Sequence, residues 1–302
     1  CWWLDAHSGL DTLQSQVLPA IKRPADSTSL LFTGADMDHL AVETATFKEM
    51  RVTALVTAGV RGNAMRLSRD TGSYYEPGTI NIILMSSMGL TERAMSRALV
   101  TATEAKTAAL WDLDIRSSYT PRRHAATGTG TDNLIVIQNS GADLTIDNSG
   151  GHTKMGELIA TAVYRGVRRA IAGQNGITGD RGVIARLAER RIEIDRLVAA
   201  TQLPAEVSAA AFEAATRREL ERPAVADLLT AAMSLEDAAG RGLTRISTGF
   251  EGWCRQVAGA IAGRSVTPLR PLMEIDPHTP ALNLALNAIW NGVLADLLKP
   301  ED

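Results

Sequence analysis

The spacing of apolar positions changes character along the chain, and those changes set out its elements. Short apolar runs come first. Leu30-Leu31-Phe32-Thr33, Val52 through Thr57, Thr79 through Met85 and Leu134 through Ile137 are bounded by turn residues and predict four strands. Between the third and fourth, Thr91 is placed as a helix N-cap, and Met95, Ala98, Leu99, Ala102, Ala105 and Ala109 share one arc of the residues that follow. A second helix follows Gly150-Gly151, where Met155, Leu158, Ile159, Ala162, Val163, Val167 and Ala170 keep helical spacing. Residues 1–28 contain Trp2 and Trp3 but little periodicity, and Pro19 and Pro24 interrupt regular structure there.

Continuous apolar strands interleaved with amphipathic helices predict an α/β fold, a layered sheet with helices covering its faces, over residues 1–175. Strand order is not readable from the pattern. Gly173 through Gly179 forms a turn-rich linker, and residues 176–302 change to Ala, Arg, Glu and Leu at helical spacing, an all-helical extension. Its last helix runs from about Ala281 to Leu298. Asn283, Asn287 and Asn291 form a polar stripe along it, costly inside a bilayer, so the helix is expected to dock on its own domain or on a partner subunit of a homo-oligomer.

Composition narrows the function classes. The net charge of −3 comes from acids and bases mixed along the chain, so no basic field exists to gather a nucleic acid. Two cysteines, Cys1 and Cys254, are too few for a disulfide framework, and no His or Cys spacing suits zinc. Neither a secretory leader nor a long apolar span is present, which points to a cytoplasmic protein. Cys1 stands where an initiator Met is expected and reads as the start of a fragment or a processed chain.

Several polar residues fall where the pattern does not require them. Ala126-Thr127-Gly128-Thr129-Gly130-Thr131-Asp132 packs hydroxyls, glycines and a carboxylate before a strand, so that backbone N–H groups and hydroxyls can converge on a ligand. It fits neither a dinucleotide fingerprint nor a P-loop. Lys106 projects onto the buried arc of its helix, where it must find an acceptor or snorkel, while Glu104 projects opposite with Arg93 and Arg97. His152 opens the second helix, where free N–H groups favour a neutral imidazole suited to general base work; capping is the alternative. Asn63 and Asn81 both donate and accept, which suits a carboxamide ligand as well as a turn or strand pairing.

These residues fall in five ordered blocks: Val56-Thr57-Ala58-Gly59 with Asn63-Ala64, Pro77-Gly78-Thr79-Ile80-Asn81, Thr103-Glu104-Ala105-Lys106-Thr107, Ala126 through Asp132, and Gly151-His152-Thr153-Lys154 with Gly156-Glu157. Together they resemble the signature blocks of the adenosylcobinamide amidohydrolases over about residues 30–172. The resemblance implies hydrolysis of a linear amide, the one joining an aminopropanol arm to a corrin ring, to give adenosylcobyric acid and 1-amino-2-propanol in corrinoid salvage. It adds weight to His152, Lys106, Asp132, Thr131 and Glu104 as catalytic candidates, and to Asn63, Asn81, Thr127, Gly128, Thr129, Gly130 and Lys154 as substrate contacts. The first ~28 residues and the helical region lie outside it.

Amide hydrolysis needs an activated nucleophile, oxyanion stabilisation and a proton for the departing amine. The residues allow His152 to activate water and protonate the amine, Asp132 to orient the site, and Lys106 with the loop N–H groups to hold the oxyanion. Attack by Thr131 through an acyl-enzyme, or by Cys1, is also open. No obligatory cofactor or zinc is expected, although Asp70 and Asp132 could hold an ion. The rival from another class is a non-catalytic corrinoid-binding or sensing protein that uses its helical region for partners.

Overall fold

The computed structural model describes residues 10–71 and 77–299, so Cys1, Trp2, Trp3 and His7 lie outside the described residues. The chain divides into two units. One takes in the chain up to Tyr119 with Ala125–Gly179, and the other Thr120–His124 with everything from Asp180.

In the first unit, helix α1 (Leu10–Ala20) carries Pro19 in its last turn, where the ring costs a hydrogen bond without stopping the helix. The expected irregular beginning is corrected to that extent. Leu30 through Thr33 forms no strand. The first strand is instead β1 (Ala41–Phe47), whose buried positions Ala41 and Ala45 are too small to give an apolar signal. After it come β2 (Met50–Ala58), β3 (Ala64–Met65), β4 (Ile80–Ser86), β5 (Gly89–Leu90), helix α2 (Glu92–Asp112), β6 (Gly128–Thr129), β7 (Asn133–Ile137), β8 (Thr145–Ile146) and helix α3 (Lys154–Asn175). The main sheet has the order β1-β2-β4-β7. Its first two pairings are antiparallel, and β4 and β7 run parallel, as a crossover through α2 requires. Small pairs β3–β6 and β5–β8 flank it.

Side chains alternate across the sheet, and Val52, Ala54, Val56, Ile80, Ile82 and Leu84 form one buried face. Helix α3 lies on this face against β1 and β2, with α2 packed beside it. Val56 Cγ2 would stand 2.7 Å from a Cβ on Gly166, so the close approach of α3 needs glycine there. On the opposite face Val42, Met85 and Ile137 are exposed. The helices therefore cover one face, not both. Apolar residues on both sides of β4 and β7 mimic the two-sided burial of an enclosed strand.

The second unit contains α4 (Val183–Glu189), α5 (Ile194–Ala200), α6 (Ala209–Leu220), α7 (Pro223–Gly240), α8 (Thr248–Ala262) and α9 (Pro280–Leu297). Helix α9 is its centre, packed by α6, α7 and α8. Trp290 is fully buried, meets Phe212 edge-on at 6.1 Å and donates its indole N–H to Thr201 Oγ1 at 2.8 Å. The asparagine stripe docks on this same unit. Asn283 Oδ1 accepts from Ile275 N, Asn287 Oδ1 from Leu272 N and Met273 N, and Asn291 Oδ1 from Arg270 N. Their amide nitrogens donate back to the carbonyls of Asp276, Met273 and Arg270. Three side-chain amides one turn apart thus serve the backbone of an irregular segment as a neighbouring strand would. Among the described residues no helix is long and apolar enough to cross a membrane.

Candidate active site

Two clusters hold the polar residues of the five blocks, one at the loop after β6 and one at the start of α3. The first is built on the loop after β6. Its hub is Asp132, whose Oδ1 accepts from Ile80 N at 3.0 Å and Thr129 Oγ1 at 2.5 Å. Its Oδ2 accepts from Thr129 N at 3.0 Å and from Lys106 Nζ in a direct ion pair. A carboxylate offers about four acceptor positions, and the protein fills them all.

Lys106 is 8 % exposed, which settles its two readings in favour of burial with an acceptor. Its ammonium donates to Asp132 and to no other group among the described residues, so two of its three N–H donors are uncommitted. Gly128 is needed beside this pair, because a Cβ there would stand 2.4 Å from Asp132 Oδ2 and 2.8 Å from Lys106 Nζ.

Above the pair, Gly130 and Thr131 reach the surface. Thr131 Oγ1 donates to Gly78 O at 3.0 Å, and Thr79 Oγ1 donates to Thr131 O at 2.8 Å, which ties the loop to the start of β4. Asn63 is fully buried beneath Gly130. It accepts from Tyr119 Oη at 2.8 Å, donates to Gly78 O at 3.2 Å and takes Gly130 N on its own carbonyl. Its amide shapes the loop from inside. Thr127 is anchored by Leu67 N and Met65 O, again within the protein. Asn81, at the first turn of β4 beyond Ile80, donates to Phe32 O at 2.7 Å.

The second cluster surrounds the start of α3. Thr153 caps it by accepting from Gly156 N at 3.0 Å. The preceding turn docks on the early part of α2, where Thr101 Oγ1 donates to Ser149 O and Ser149 Oγ to Ala94 O. His152 is exposed on this turn, and Arg97 Nη1 lies 3.0 Å from the position of a Cβ on Gly150. Lys154 pairs with Glu157 at 2.5 Å and lies over the Phe47 ring.

Lys106 follows Thr101 by five residues, about 7.5 Å along the axis and about 140° around it. Hydrogen bonds and close approach bring Lys106, Asp132, Gly128 and Thr129 together, and His152 shares none of these contacts. Glu104 is exposed on α2, as its projection indicated, with no partner among the described residues. The pattern gave no sign of Tyr119 or Thr79, whose hydroxyls hold Asn63 and Thr131; both lie in turns or at strand ends, where periodicity carries no information.

The family model described as adenosylcobinamide amidohydrolase matches residues 6–179. An uncharacterized protein of Methanocaldococcus jannaschii is 42 % identical over 194 residues, covering 58 % of this chain and 74 % of its own. A protein of Methanosarcina mazei named adenosylcobinamide amidohydrolase is 32 % identical over 149 residues, covering 47 % of this chain and 64 % of its own. No solved structure matches. The match takes in every residue of both clusters, and the chain belongs to the adenosylcobinamide amidohydrolase family.

Proposed function

We propose that this chain cleaves the aminopropanol amide of adenosylcobinamide, releasing adenosylcobyric acid and 1-amino-2-propanol for corrinoid salvage. Family membership and the name of the Methanosarcina mazei relative support the reading. The observation that carries it is Lys106, a buried ammonium fixed by Asp132 beside the Gly128–Thr131 loop with two N–H donors uncommitted. Such donors, held rigidly in a partly desolvated place, are what a developing oxyanion requires.

In this mechanism Lys106 binds the oxyanion through its uncommitted donors and Asp132 aligns the ammonium, while the N–H groups of Thr129 and Gly130 are already held within the protein. A water oxygen bonds to the amide carbon, the C–N bond breaks, and the protons given up by the water leave on the amine, with a carboxylate left behind. Thr131, the exposed hydroxyl of the loop, is the alternative nucleophile. His152 and Glu104, both exposed, are the alternative bases. No metal is required, because Asp132 is saturated and Asp70 already accepts from Arg66 N and Ser117 Oγ, each at 2.6 Å.

Incubating the protein with adenosylcobinamide and measuring both products tests the reading. Turnover that is lost in Lys106→Ala and kept in His152→Ala supports the site as assigned, and the reverse pattern moves it to the start of α3. Tight binding with neither product would make the chain a corrinoid binder instead.

A further inference from the structure

Two buried polar atoms in the sheet, Thr57 Oγ1 and Asn81 Oδ1, have no hydrogen-bond partner among the described residues. They are direct register partners across β2 and β4, and each residue is 5 % exposed. Opposed side chains of an antiparallel pair lie roughly 5 Å apart at Cβ. Because Val56, Ala58, Ile80 and Ile82 enter the core under the helices, Thr57 and Asn81 face the opposite side of the sheet. Buried polar groups are nearly always paired, and a valine at position 57 would fill the same space without the unmet hydroxyl. The amide of Asn81 is also oriented: its Nδ2 is held by Phe32 O, so Oδ1 is presented as an acceptor.

We propose that Thr57 and Asn81 form a subsite for a primary carboxamide of the bound ligand. The ligand's N–H donates to Asn81 Oδ1, and its carbonyl accepts from the Thr57 hydroxyl, so that both orphaned atoms are satisfied by one group. The subsite adjoins the candidate active site. Asn81 follows Ile80, whose N–H is held by Asp132, and pairs in register with Asn133 of β7. The bond from Asn81 to Phe32 O is the single hydrogen bond linking Ser29–Phe32 to the other described residues, so the segment can shift to admit the group while that bond keeps Asn81 oriented. This inference rests on the hydrolase reading, and the carboxamide is one carried by the corrinoid substrate apart from the bond that is cut.

The test is steady-state kinetics on adenosylcobinamide, with equilibrium binding of cobinamide and thermal unfolding measured alongside, for wild type, Thr57→Val, Asn81→Leu and the control Thr44→Val. Thr44 lies on the same face, but its hydroxyl is bonded to Thr53 Oγ1 at 2.9 Å. Loss of one ligand hydrogen bond raises KM or Kd about tenfold. Thr57→Val is expected to show that rise, a much smaller change in kcat and no loss of thermal stability, while Thr44→Val follows wild type. Asn81→Leu is expected to weaken binding at least as much. A corrinoid with its side-chain carboxamides converted to methyl esters keeps the carbonyl and loses the N–H, so it should bind wild type more weakly than cobinamide does and Asn81→Leu no differently from cobinamide. Wild-type turnover with an unchanged KM in Thr57→Val overturns the subsite and leaves the hydrolase reading standing. Absence of both turnover and binding in wild type overturns both.

Discussion

Asp132 holds Lys106 in a direct ion pair while its remaining acceptor positions are filled by Ile80 N and by both the amide and the hydroxyl of Thr129. One carboxylate thereby joins α2, the start of β4 and the loop after β6. The side chains of the pair are 11 % and 16 % exposed, so removing either partner leaves a charge with little water to receive it. Breaking such a pair costs about 3 kcal/mol or more. Asp132→Asn is expected to lower stability by about that amount in urea unfolding. Lys106→Ala is expected to lower kcat on adenosylcobinamide about 100-fold or more, the scale of a lost oxyanion donor. An Asp132→Asn protein as stable as wild type would show that the pair does not organise the loop.

The burial of Lys106 was legible in the sequence because helical projection depends only on spacing, and the same projection correctly left Glu104 outside. Asp132 was visible as a polar residue in a loop, but its four donors come from three separate elements, and no local pattern encodes that convergence. His152 was readable only in part. Its place at the start of α3 was readable, whereas its distance from Lys106 depends on how α3 and α2 pack. Likewise β1 escaped notice, since its core side presents Ala41 and Ala45, while Leu30 through Phe32 has an apolar strand composition and no strand to pair with.

Metal dependence follows from the same saturation. A divalent ion would need carboxylate oxygens, and both of Asp132 and the Oδ2 of Asp70 already accept from protein donors. Dialysis against a chelator is expected to leave turnover unchanged. Loss of activity restored by zinc or magnesium would contradict this and require those carboxylates to rearrange.

In the helical unit, Asn287 makes the densest part of the ladder on α9. It accepts from Leu272 N at 2.6 Å and Met273 N at 3.1 Å, and donates to Met273 O at 2.8 Å. Asn287→Ala would leave these backbone groups without their partner at a site only 7 % exposed. Each unsatisfied buried group costs about 1–3 kcal/mol, so a loss of about 3 kcal/mol or more is expected in chemical denaturation. Asn287→Asp keeps the acceptor and loses the donor, and should fall between the two. A neutral alanine substitution would mean that the ladder does not hold the segment before α9.

Glu236 on α7 accepts from Ala281 N at 2.8 Å and Leu282 N at 3.2 Å, the free N–H groups at the start of α9. Burial raises its pKa above the ordinary 4.5, and the charges of Asp237 and Asp276 add to the rise; the two backbone bonds act against it without cancelling it. The folded state therefore holds a proton at pH values where the unfolded chain has released it. Between about 4.5 and the raised value, stability falls as pH increases, because the folded state binds more protons there. That contribution is fully present below 4.5 and is lost as pH rises through the folded pKa. Glu236→Gln keeps an acceptor for α9 and removes the titration. Thermal midpoints measured from pH 4 to about 7 should show the variant gaining on wild type as pH rises. Parallel profiles would show that the two N–H groups stabilise the carboxylate enough to offset its burial.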